Sequence, residues 1–181
     1  MLWIQVYDLI LGIGVIILQI AIVALLVVRI AYARGYVKRI GDGIVAYGVP
    51  IAFVTALLAM IGSMVYSAGV GFEPCLFCWW QRIFLFPQVF ILGIATFTKE
   101  RQSIKKYALI LSGIGLCISI YHYLIQNSTK LAESAACNVI GQSASCSGAW
   151  VHVFNYITIP MMCLTIFAMI IVLLSFMRKK N

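Results

Sequence analysis

Five long apolar stretches, separated by short polar connections, dominate the hydrophobic pattern of the chain. They cover approximately residues 9–28, 44–66, 78–97, 107–125 and 154–177. A helix needs about 20 mostly apolar residues to cross the roughly 30 Å hydrocarbon core of a membrane. The pattern therefore predicts an all-α integral membrane protein with five transmembrane helices.

Composition supports this prediction and leaves little room for a soluble domain. Of the 181 residues, 64% are hydrophobic and 10% are charged, whereas about half of a soluble domain is apolar. The first stretch lacks the positively charged leading segment of a secretory signal peptide, because Asp8 is the only charged residue before it. We therefore expect this stretch to be a retained transmembrane helix.

The positive charges predict how the helices are oriented. Eleven of the thirteen lysines and arginines lie in residues 29–43, 99–106 and 178–180, and five crossings place these three segments on one face. Cytoplasmic connections are enriched in lysine and arginine, so we expect the N-terminus outside and the C-terminus in the cytoplasm. Topology thus accounts for the net charge of +8, and no nucleic-acid partner is expected.

Four of the six cysteines lie in or beside the connections on the predicted outer face. They are Cys75, Cys78, Cys137 and Cys146. Disulfides form and persist outside the cytoplasm, so this placement favours redox chemistry over zinc binding, and no metal site is predicted. The other two, Cys117 and Cys163, fall inside apolar stretches and are expected to behave as small apolar residues.

Cys75 and Cys78 form a CxxC pair where the third apolar stretch begins. Pro74 is placed to open a helix, whose partly positive N-terminus would stabilise a thiolate. Such a neighbourhood makes a cysteine pair redox-active. Positions 75, 78 and 82 follow helical spacing, so Arg82 is expected about one turn deeper than Cys78.

Two further polar residues lie near the same predicted membrane face. An arginine inside a transmembrane segment needs a partner or a water-filled cavity, which makes Arg82 a functional-site candidate; the alternative is that it snorkels to the interface. His122, between Tyr121 and Tyr123, either is an ordinary interfacial histidine or serves proton delivery or ligand binding.

Cys137 and Cys146 have eight residues between them, in a serine- and alanine-rich stretch over 134–147 that is expected to be a flexible loop. They form either a structural disulfide or an exchange-active one. A CxxC pair on the same face favours electron transfer between the two pairs. No haem-attachment or dinucleotide-binding motif is evident, so elimination favours a lipid-soluble quinone, ubiquinone or menaquinone, as electron acceptor.

The segment from Pro74 to Ile83, followed by Pro87, resembles the first signature of the bacterial disulfide bond formation protein B family (DsbB), in its BdbC-like branch. Residues 120–123 and 157–160 are similar to further segments of that branch. The resemblance covers about residues 44–178. It implies a four-helix bundle in the bacterial cytoplasmic membrane. Such a bundle would reoxidise an extracytoplasmic thioredoxin-like thiol oxidase (DsbA/BdbD-like) and reduce a membrane quinone.

The resemblance also implies roles for individual residues. Cys137 would be engaged by the partner's thiolate, and Cys146 would complete that pair. Cys75 would exchange with the second pair, and Cys78, backed by Arg82, would face the quinone. His122 resembles a histidine near the family's quinone site.

The first helix departs from the four-helix family pattern. We therefore expect residues 1–43 to form an additional N-terminal helix with its cytoplasmic connection, and residues 44–181 to form the thiol oxidase bundle. Two other interpretations stay open. One is a redox protein resembling vitamin K epoxide reductase, and the other is a non-catalytic membrane scaffold with structural disulfides.

Overall fold

The computed structural model describes residues 2–98, 101–128, 146, 148 and 151–177. Helices account for most of these residues, and the described part of the chain contains no strand beyond an isolated bridge between Val153 and Ile157. The helices are α1 (Leu2–Ala33), α2 (Lys38–Met64), a π-helix (Val65–Gly69), α3 (Leu76–Phe97), α4 (Arg101–Asn127) and α5 (Ile159–Ser175). The predicted all-α architecture is confirmed.

Four helical segments of the described chain are long and apolar enough to cross a membrane. They are Leu2–Ala33, Lys38–Gly69, Leu76–Phe97 and Ser103–Asn127. The fifth helix, α5, is apolar but has 17 residues, which at about 1.5 Å per residue cover about 25 Å. It packs against α4, α2 and α1. The chain is a multi-pass membrane protein, while its orientation and its division at residue 43 stay predictions.

The apolar core lies among α2, α3, α4 and α5. Phe167 of α5 is fully buried in it. A Cβ atom added to Gly115 of α4 would lie only 2.3 Å from Phe167 Cζ. Only glycine therefore lets α4 approach α5 this closely, as small residues commonly do between membrane helices.

Two buried polar contacts fix α3 against α4. Gln81 Nε2 donates to Ser119 Oγ at 3.2 Å, and Ser112 Oγ donates to Gln88 Oε1 at 3.0 Å. Inside hydrocarbon, such groups must find partners within the protein. The two contacts set the register of the helices, and this register brings the beginning of α3 beside the C-terminal half of α4.

Helix α1 packs on the bundle along α5 and α2. Gln19 links it to two places, because its Nε2 donates to Thr165 Oγ1 at 3.3 Å and its Oε1 accepts from Tyr156 at 2.9 Å. Many of its other side chains are exposed and apolar, as expected for a face turned towards lipid. The additional helix is therefore an integral part of the described fold.

Candidate active site

Cys75 and Cys78 lie together at the beginning of α3. The helix begins at Leu76, and Cys75 precedes it in an extended conformation with φ −68° and ψ 172°. Cys75 is thus the N-cap residue rather than a member of the first turn, and its carbonyl accepts from the Trp79 amide at 3.1 Å. Both cysteines are free thiols, and their sulfurs are 3.2 Å apart.

His122 of α4 lies beside the sulfur of Cys75. Its Nε2 lies 3.6 Å from Cys75 Sγ, and the side chain is only 1% exposed. The hydrogen bond with the Cys78 thiol lowers the pKa of Cys75. The histidine lowers this pKa further, whereas burial raises it. The net effect holds the pKa of Cys75 well below that of an ordinary thiol, so a thiolate is favoured at Cys75.

Arg82 is held by the end of α2. Its Nε donates to Ser63 Oγ at 2.8 Å, and its Nη2 donates to the Ser63 carbonyl at 2.9 Å and to Ser67 Oγ at 3.0 Å. Its guanidinium also lies 5.4 Å from the centre of the Trp79 ring, a cation–π distance. Hydrogen-bonded partners thus fix Arg82, and snorkelling alone does not describe it.

One cavity of about 360 Å³ connects these residues. Cys75, Cys78, Arg82 and His122 all line it, and most of its remaining wall is apolar. The apolar lining includes Leu11, Val15, Leu58, Leu85, Ile159 and Ile166. Small-molecule sites commonly combine this size and apolar character with a few converging polar groups.

Cys146 is buried beside the CxxC pair. It is 1% exposed and shares a cluster with Cys75, against which Leu76, Phe77 and Cys78 pack. This burial was not predicted from the sequence, and the flexibility expected of the loop over 134–147 stays a prediction. Cys146 is disulfide-bonded, and its partner lies outside the described residues, as do Cys137 and most of the loop predicted over 134–147. The predicted pairing of Cys137 with Cys146 stays a prediction.

Cys75, Cys78 and His122 together have donor atoms that could ligate a metal ion. The sulfurs of Cys75 and Cys78 and a ring nitrogen of His122 lie within 4.8 Å of one another. Thiolate and imidazole ligands suit zinc. The prediction that the chain binds no metal stays a prediction, and assays of the thiols need a chelator.

Several residues at the site were not predicted from the sequence. Ser63 and Ser67 bind Arg82, but serines one turn apart near a helix end are too common to single out. Cys163, expected to behave as a small apolar residue, lines the cavity. Helix α1 also contributes part of the wall. A single sequence carries no signal for these contacts, since each depends on how helices pack.

Comparisons with known proteins converge on one family. The family model described as "Disulfide bond formation protein DsbB" matches residues 46–177. A probable disulfide formation protein C 1 of Bacillus anthracis is 39% identical over 75% of this chain and 94% of its own length. Disulfide bond formation protein C of Bacillus subtilis is 42% identical over 72% and 91%. An SPbeta prophage-derived disulfide bond formation protein B of Bacillus subtilis is 38% identical over 66% and 78%. No solved structure matches the chain significantly.

Proposed function

Because the chain belongs to the DsbB family of disulfide bond formation proteins, we propose that it oxidises an extracytoplasmic thioredoxin-like thiol oxidase and passes the electrons to a membrane quinone. The family identifies a membrane disulfide oxidoreductase. The electron acceptor and the protein partner are the proposed part. The family match also favours this function over a relative of vitamin K epoxide reductase and over a non-catalytic scaffold.

The observation that carries the proposal is the grouping of two thiols, a cation and a histidine around one apolar cavity. The cysteine sulfurs are 3.2 Å apart, close enough to form a disulfide without large movement of α3. The walls suit an apolar ring and tail, and Arg82 supplies a positive charge for an oxygen that becomes anionic.

The residues of the cavity fit a quinone. Nδ1 of His122 is buried and has no hydrogen-bond partner within the described part of the chain. A buried polar atom of this kind is costly unless a ligand or water satisfies it. A carbonyl or hydroxyl oxygen of a quinone would provide that partner. When bound, the quinone supplies the capacity to accept two electrons and two protons.

The protein residues divide the thiol chemistry into two exchanges. The partner's dithiol first reduces the Cys137–Cys146 disulfide, so that the partner leaves oxidised and the loop pair gains two electrons and two protons. A thiolate of Cys146 then attacks Cys75 in a Cys75–Cys78 disulfide. The electrons move to Cys75 and Cys78 as the loop disulfide re-forms. The burial of Cys146 in one cluster with Cys75 supports a direct exchange.

The His122 and Arg82 side chains have separate tasks in the reoxidation of the CxxC pair. Together with the Cys78 thiol, His122 favours the thiolate form of Cys75, and it can hold a proton at a ring nitrogen. Arg82 is fixed by Ser63 and Ser67 and stabilises negative charge deeper in the cavity. Each side chain is thereby oriented before the reaction, which reduces the reorganisation that charge transfer requires.

Anaerobic mixing of the purified protein with a reduced thioredoxin-like oxidase and a short-chain quinone tests the proposal. Quinone absorbance and free thiols are followed together, with a chelator present. We expect one quinone to be reduced for each pair of partner thiols oxidised. Cys78→Ala should abolish both changes, whereas Cys117→Ala, which changes an exposed free cysteine outside the cavity, should leave both unchanged. Quinone reduction by Cys78→Ala at the wild-type rate would contradict the proposal.

A further inference from the structure

Helix α1 forms one wall of the cavity that contains the CxxC pair. Its lining residues are Leu11, Gly14, Val15, Ile17 and Leu18. Most follow the three- and four-residue spacing of a single helix face. The family match begins at residue 46, so this wall comes from a part of the chain that the family model does not include.

The outer end of α1 also contacts the segment that holds Arg82. Asp8 Oδ1 accepts a hydrogen bond from the Tyr66 hydroxyl at 2.7 Å, and the Tyr7 hydroxyl donates to the Gly62 carbonyl at 3.2 Å. The two tyrosine rings meet edge to face, with centroids 5.2 Å apart. A carboxylate within an apolar membrane-spanning helix needs a partner, and Tyr66 provides one.

These contacts are adjacent in sequence to the serines that bind Arg82. Gly62 directly precedes Ser63, and Tyr66 directly precedes Ser67. Ser67 and Tyr66 both belong to the π-helix, and such π-helical turns often occur at functional sites. The segment from Gly62 to Ser67 therefore has contacts on two sides. Tyr7 and Asp8 bind it from α1, and Arg82 binds it from α3.

We propose that α1 forms one wall of the electron-acceptor site, in addition to the four helices of the bundle. Its apolar face confines the quinone ring and the first part of its tail beside Cys78 and Arg82. Tyr7 and Asp8 act as positioning residues, because they keep the segment from Ser63 to Ser67 in place on Arg82. This inference rests on the proposed quinone-linked function and assigns a role to the additional helix.

Two glycines provide a matched pair of variants for the wall. A Cβ atom added to Gly14 of α1 or to Gly113 of α4 would meet no other atom within 4 Å. Gly14 lines the cavity, and Gly113 does not. The first carbon of a side chain is therefore accommodated at either position, but only at Gly14 does the side chain extend from the wall of the site.

The experiment compares Gly14→Leu, Gly113→Leu and wild type. A short-chain benzoquinone and a short-chain naphthoquinone are titrated against the purified proteins, and binding is followed by quenching of tryptophan fluorescence. KM is then measured separately for the quinone and for the thiol substrate. We expect Gly14→Leu to raise Kd and KM for quinone about tenfold, because leucine fills space that several methylene groups of the ligand would occupy. The thiol KM should not change, and Gly113→Leu should match wild type.

The outcomes separate the role of α1 from the proposed function. If wild type binds and reduces neither quinone, both are wrong. If wild type binds quinone and Gly14→Leu equals Gly113→Leu in Kd and KM, the wall assignment alone is overturned.

A second pair of variants tests the positioning residues. Asp8→Ala removes the acceptor for Tyr66, and Asp8→Asn keeps a carbonyl oxygen there. We expect Asp8→Ala to raise the quinone KM about fivefold, in the range expected for loss of one buried hydrogen bond, with the thiol KM unchanged. Asp8→Asn should restore wild-type values. Equal quinone KM in Asp8→Ala and wild type would overturn the positioning role.

If Asp8→Ala does not fold, Tyr7→Phe takes its place, because this change removes only one hydroxyl group. An unchanged quinone KM in Tyr7→Phe would likewise overturn the positioning role.

Discussion

Cys75 is the residue at which the two cysteine pairs meet. Its sulfur lies 3.2 Å from Cys78 and 3.6 Å from His122, and it is buried in one cluster with Cys146. A thiolate is the reactive form in disulfide exchange, and the surroundings of Cys75 lower its pKa. The cysteine in contact with both pairs is thus also one whose thiolate its surroundings favour.

The lowered pKa gives a testable pH dependence. A group with a depressed pKa stays ionised as the pH falls, so alkylation of Cys75 should continue at pH 6 at nearly its rate at pH 8. An ordinary thiol would slow by roughly a hundredfold over these two pH units. Replacing His122 by alanine removes one of the lowering contacts and should shift the alkylation profile of Cys75 to higher pH.

The measurement uses reduced protein, iodoacetamide and mass spectrometry of the peptide that contains Cys75. A Cys78→Ser background keeps a hydroxyl donor beside Cys75 and leaves a single thiol in that peptide. N-acetylcysteine alkylated in the same mixture serves as the reference for an ordinary thiol. A Cys75 profile that follows this reference, or one that His122→Ala leaves in place, would contradict the assigned environment.

At the scale of elements, the contact between α2 and α3 determines where the cation sits. Ser63 and Ser67 are one helical turn apart, and both accept hydrogen bonds from Arg82. Arg82 lies four residues after Cys78 in α3. The π-helix that contains Ser67 ends α2 at this contact. The orientation of Arg82 is therefore set by the neighbouring helix as well as by its own.

Removing this cation should weaken quinone binding more than it weakens the fold. We expect Arg82→Met to raise the quinone KM by about tenfold, equivalent to about 1.4 kcal/mol, with no change in the thiol KM. Methionine retains an apolar side chain that α3 can accommodate. Steady-state kinetics at varied quinone concentration, with circular dichroism to check helix content, measures both effects. An unchanged quinone KM would reduce Arg82 to a structural link between α2 and α3.

Much of the helical arrangement was predictable, because crossing a membrane requires long apolar runs. The boundaries were less accurate where polar residues have tertiary partners. Helix α1 begins at Leu2 rather than near residue 9. The carboxylate of Asp8 accepts a hydrogen bond from Tyr66, so this residue is tolerated within the helix. Conversely, α5 begins only at Ile159. Phe154 and Asn155 adopt positive φ values in a turn closed by the bridge between Val153 and Ile157.

The candidate site was predictable to a similar extent. The CxxC spacing and an arginine inside a predicted transmembrane stretch carry chemistry that can be recognised in a single sequence. The contact between Cys75 and His122 depends instead on the register of α3 and α4, which Gln81 and Ser119 help to set. Helical spacing on one chain segment contains no information about that register.

For the whole molecule, the predicted orientation decides which compartment the thiols face. Residues 29–43, which include the end of α1 and the beginning of α2, carry four positive charges, and the CxxC pair is one membrane crossing away from them. The positive-inside rule therefore predicts that Cys75 and Cys78 lie outside the cytoplasm. Disulfide formation requires this placement, because cytoplasmic thiols are kept reduced.

Single cysteines introduced on the two faces would test this orientation. Tyr36, 82% exposed between α1 and α2, and His152, exposed before α5, are suitable positions. In a chain whose six natural cysteines are replaced, a membrane-impermeant maleimide should label His152→Cys in intact cells. Tyr36→Cys should react only after the membrane is opened. The reverse labelling would contradict the orientation and the proposed function with it.

A single-turnover titration tests the central claim most directly. The protein, carrying Cys137→Ser and Cys146→Ser, is fully reduced, freed of reductant and mixed anaerobically with one equivalent of a short-chain quinone in the absence of any protein partner. The account predicts that one quinone is reduced as two thiols are lost, and that alkylation and mass spectrometry assign those thiols to Cys75 and Cys78. Adding Cys78→Ala should abolish the reaction. Unchanged quinone absorbance in the parent variant, or thiol loss without quinone reduction, would contradict the account.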